Sequence, residues 1–92
     1  MHYKTIALAL IQEEPALYQT LRHRREVLLA MEACALRLKH SHEEWMVLIG
    51  RKRPDSDSRQ ISGEALELAI ENLRDHLHGA STGSAAVLTL PL

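Results

Sequence analysis

From residue 16 to residue 49 neither glycine nor proline interrupts the chain. Starting at Leu17 and stepping alternately by four and three, the register reaches Leu21, Arg24, Leu28, Met31, Ala35, Leu38, His42, Trp45 and Ile49. Only Arg24 and His42 on that line are polar, and such a repeat is the signature of a helix with one apolar face. The stretch "LKHSHEEWM" at 38–46 sits in its middle and also spells a helix start, with Ser41 and Glu44 as a capping box. A break there would restart the repeat at an arbitrary angle, yet Trp45 and Ile49 keep the phase set by Leu28 and Leu38. The periodicity therefore predicts one continuous helix over about 15–49, on the order of 50 Å long.

Two shorter helices flank it. Tyr3, Ile6, Ala7, Leu10 and Ile11 recur at helical spacing and predict a helix over about 2–13, ended by Pro15, which suits the first turn of the next helix. After "GRKRPDSDS" at 50–58, Asp57 with Gln60 forms an N-cap signal. Ile61, Ala65, Leu66, Ala69, Ile70, Leu73 and Leu77 then make the stripe of a third helix over 58–78, with Gly79 as its stop. The short linker predicts an antiparallel hairpin. Residues 79–92 have no helical period and read as a flexible tail, so 1–78 forms the single domain.

The charge balance supports that hairpin. Residues 20–53 carry eight Lys/Arg against four Glu, whereas residues 54–92 carry two Arg against six Asp/Glu. The acidic edge Glu64, Glu67, Glu71 and Asp75 is expected beside basic groups that include Arg37 and Lys39. The fold class expected is all-α: a small bundle with one long central helix and a helical hairpin. A chain of 92 residues encloses a modest core. Its wide central stripe predicts completion by homodimerisation through Leu28, Met31, Leu38, His42, Trp45 and Ile49.

Chemistry finds little purchase. On a helix His40 and His42 point about 200° apart, and His40 with Glu44 offers two ligands where zinc needs three or four. No metal or cofactor is expected. Cys34, the single cysteine, excludes an intrachain disulfide and reads as a packing residue in a cytoplasmic protein. No glycine-rich phosphate loop or nucleophile motif is present, so an enzyme is not expected, and the first apolar run, "TIALALI", is too short for a signal sequence or a membrane span. Two function classes remain. The first is a non-enzymatic interaction or assembly module that binds itself and a further protein. The alternative is a nucleic-acid-associated regulator using Arg22, Arg24 and Arg25 with Arg51, Lys52 and Arg53, although no aromatic interleaves those clusters for base stacking.

Overall fold

The protein was analysed as a computed structural model, which describes residues 2–82. Four helices follow one another: α1 (Tyr3–Gln12), α2 (Pro15–Arg24), α3 (Val27–Lys52) and α4 (Ser58–Thr82). The architecture is all-α, and the described residues form an elongated body of 48 × 22 × 20 Å.

α3 is the spine. It runs unbroken through 38–46, as the unslipped phase requires, but it does not extend back to Pro15. Arg25 adopts the left-handed conformation (φ 59°, ψ 38°) and ends α2. Its N–H bonds the carbonyl of Arg22 at 3.1 Å, and the N–H of Glu26 bonds that of Leu21 at 2.9 Å. That paired closure is a Schellman cap, which normally carries glycine at the left-handed position. The expected 15–49 helix is therefore two helices. The interruption also rotates the register, since Arg24 is exposed and Leu28 is 62% exposed, while Val27 packs against the core in its place.

α1 and α4 cover one face of α3 from two sides. Ala7, Leu10 and Ile11 of α1, Cys34, Ala35 and Leu38 of α3, and Ala69, Leu73 and Leu77 of α4 form one cluster, which Leu17 and Leu21 of α2 close at the end. The fully buried Ala65 and Ala69 leave room for α4 to lie close against α3. α4 starts where Asp57 accepts a bond from the N–H of Arg59 at 3.2 Å. It passes through Gly79 to Thr82, beyond the expected end at 78, because Ala80 continues the buried line of Leu73 and Leu77. The rest of the expected tail, 83–92, lies outside the described residues.

Ion pairs fasten the ends. Arg74 of α4 donates to both carboxylate oxygens of Glu13 at 3.2 and 3.3 Å, and His78 lies 3.3 Å from Glu14. Arg53 bonds Glu64 across the α3–α4 linker, and this pairing holds the Glu64 carboxyl below its ordinary pKa. The acidic edge thus meets Arg53, and Asp75 shares a groove with Arg37, but Lys39 lies on the other side of α3, beside α1.

An L-residue at Arg25 bears the strain of the left-handed conformation, about 1–2 kcal/mol, part of which glycine gives back as unfolded-state entropy. Arg25→Gly is expected to stabilise the chain by roughly 0.5–1 kcal/mol. A thermal melt checks this, and destabilisation would contradict the cap.

Candidate interaction surface

The six residues of the expected dimer seam are divided by the fold. Leu38, His42 and Ile49 are buried within the single chain, Met31 and Trp45 are half-buried against its core, and Leu28 is exposed. α1 and α4 together cover the stripe, so its centre is the chain's own core and offers nothing to a partner.

His42 shows why that centre is closed. Among the described residues it is the one buried polar side chain, 2% exposed, and it joins three helices. Its Nε2 lies 3.0 Å from the carbonyl oxygen of Ser62, which only accepts, so the ring proton sits on Nε2. Nδ1 is then an acceptor and takes the Tyr3 hydroxyl proton at 2.8 Å. Burial, and then the charge of Glu43, raise the Tyr3 pKa and keep that hydroxyl a donor. Ser62 Oγ is 3.2 Å from the same Nε2. Both Ser62 oxygens thus lie within reach of the one ring N–H, and the trio works as a clamp across α1, α3 and α4. Tyr3→Phe leaves Nδ1 without its donor and is expected to cost about 1–2 kcal/mol. Chemical denaturation measures this, and an unchanged midpoint would count against the clamp.

The opposite face of α3 is different. Leu29, Leu36 and Val47 are 53–66% exposed there, while Leu28 and Leu48, also exposed, lie on the helix flanks about 100° to either side. Leu29, Leu36 and Val47 stand on one line along the helix, turned away from the face that carries Leu38. A groove runs along each side of this ridge. Towards α4, a groove of about 770 Å³ is lined by Ala33, Arg37, His40, Glu44, Asn72 and His76, among others. Towards α1, a smaller one of about 430 Å³ includes Lys4, Glu32, Leu36 and Lys39. In the larger groove, His76 Nε2 is buried without a hydrogen-bond partner. Burial, and then the charge of Arg37, lower its pKa and favour the neutral ring.

The basic residues lie at the two ends of the spine. Arg22, Arg24 and Arg25 are exposed around the end of α2, with the Arg22 guanidinium 5.8 Å from the centre of the Tyr18 ring. Arg51 and Lys52 close α3, about 39 Å away at 1.5 Å per residue, and Arg53 is engaged by Glu64. The fold does not bring the two clusters together. Among the described residues no three His, Cys, Asp or Glu side chains converge in a way that could hold a metal, and His40 with Glu44 remains a pair. Cys34 is buried in the core, where burial raises its thiol pKa. No described helix is long and apolar enough to cross a membrane.

The exposed face is hard to read from the sequence because Leu29 and Leu36 neighbour Leu28 and Leu38 in the chain and so read as a widening of a single stripe. The available signal was the 29–36–47 line itself, which lies opposite Leu38 once the helix phase is taken from Val27. Compared with known proteins, the chain matches no family model, no curated protein and no solved structure.

Proposed function

We propose that this chain is a small helical interaction module that acts as a homo-oligomer, using the outer face of α3. The observation that carries the reading is the row of exposed Leu29, Leu36 and Val47 on the longest helix. Single exposed leucines are common on monomers, but an aligned row of exposed apolar side chains on one helix face, here broken only by His40 and Glu43, is not. The inner face of α3 already has its cover, so the ridge does not help this chain fold. Its burial against another helix would contribute about 1.5–3 kcal/mol for each leucine fully enclosed. Cyclic dimers are the commonest soluble assemblies, and they need only one such surface.

The division of labour between the faces gives a clean test. Leu29→Glu with Leu36→Glu changes exposed positions only, so the chain should keep its helicity and its cooperative melt. Light scattering after size exclusion is expected to show a dimer for the unaltered chain and a monomer for the double variant. The dimer dissociation constant should rise at least about 100-fold. A well-folded, unaltered chain that remains a monomer at micromolar concentration would refute the reading.

A further inference from the structure

Read from the outer face alone, α3 carries a second repeat. Leu29, Ala33, Leu36, His40, Glu43 and Val47 follow one another at steps of four, three, four, three and four. This is the spacing of a coiled-coil seam, with Leu29, Leu36 and Glu43 in d positions and Ala33, His40 and Val47 in a positions. All six are at least partly exposed, and Ala33, Leu36 and His40 border the groove beside α4. The flanking positions then fall into register. Glu32 and Lys39 take g positions on the α1 side, while Arg37 and Glu44 take e positions on the α4 side. All four are exposed. Glu32 has only a loose contact within its own chain, 3.9 Å from Lys4, with the two side chains 50% and 64% exposed.

We infer that the occupant of this ridge is a second copy of the chain, with the two α3 helices side by side and parallel. The inference rests on the self-association reading and adds a partner geometry to it. The charges decide the direction. In a parallel pair each g residue meets the e residue five positions further along the other helix. Glu32 then faces Arg37 of the second copy and Lys39 faces its Glu44, and the two-fold axis doubles both attractive pairs. In the antiparallel pair that sets Val47 against Leu29, the fullest overlap of the seam, e meets e and g meets g, so Arg37 faces Arg37 and Lys39 faces Lys39. The helix carries the same apolar residues either way; the flanking charges favour the parallel arrangement, in which the like-charge contact is Glu43 facing Glu43 of the second copy, one turn from the two His40 imidazoles.

His40 and Glu43 form the polar break in the seam. In the parallel pair they gather two imidazoles and two carboxylates within one turn. A parallel register shifted by one heptad would set Glu43 against Leu36 and bury a carboxylate on an apolar neighbour. Polar residues at seam positions act in this way to fix register at a cost in stability. Leu29, Ala33 and Leu36 on one side, and Val47 on the other, supply the apolar contact.

The full chain tests this by charge reversal and by cross-linking. Lys39→Glu is expected to weaken the dimer about tenfold, because two pairs change from attraction to repulsion, and Lys39→Glu with Glu44→Lys is expected to restore it. Sedimentation equilibrium at low salt reads both, and circular dichroism verifies that the folds are kept. In a Cys34→Ala background, Val47→Cys should form an interchain disulfide with itself under mild oxidation. An antiparallel dimer would behave otherwise. Lys39→Glu would leave its affinity unchanged, since like charges would still face each other. Val47→Cys would cross-link only when mixed with a Leu29→Cys chain. That result would overturn the parallel seam and leave self-association standing. A monomeric unaltered chain would overturn both.

Discussion

Everything in this small fold depends on covering one face of α3 from two sides. A 26-residue helix is far longer than its two-sided cover: α1 has ten residues and overlaps only the first part of it. Leu38 is fully buried because both neighbours reach it. Four residues further on, His42 takes a bond from Tyr3 of α1 and gives one to Ser62 of α4. Apolar burial supplies most of the attraction but is indifferent to small slides of one helix along another. The directional bonds of His42 fix where α1 and α4 sit along the spine. Arg74 with Glu13 fixes the other end of the same contact.

That construction leaves α3 with an unusual position for a core helix. Its inner face is exhausted by the chain, while its outer face still carries the exposed Leu29, Leu36 and Val47. The consequence is a separation of roles along one element. Changes at Leu38 or His42 act on folding, whereas on the proposed reading changes at Leu29 or Leu36 act on what the folded chain meets. The basic clusters fall outside both roles, since α3 holds them apart and Glu64 engages one member of the second cluster.

Much of this was legible in the sequence. The helical class, the continuity of α3 through Ser41, the N-cap at Asp57 and the stripe of α4 all follow from local rules that the structure obeys. The break at Arg25 was hidden because the usual marker of a left-handed cap, glycine, is absent there. Arg24 and Leu28 also happen to satisfy the four–three spacing across the break. Once Val27 replaces Leu28 as the first inward residue, Met31, Ala35 and Leu38 follow from it without a slip. The stop at Gly79 failed for the converse reason: Gly79 marked an end, but burial of Ala80 rewards another turn of helix. The second apolar line of α3 is the part the sequence conceals. A helix with two apolar lines looks, in sequence, like a helix with one wide line, and only the angle between Leu36 and Leu38 separates them.

The central claim is that α3 builds the chain with one face and assembles it with the other. Hydroxyl-radical footprinting of the unaltered chain across a dilution series tests this at side-chain level. The account predicts that oxidation of Leu29, Leu36 and Val47 rises several-fold on dilution, as the assembly dissociates, while Leu38 and Ile49 stay protected throughout. Oxidation of the outer residues at one constant, high rate from the most concentrated to the most dilute sample would contradict it.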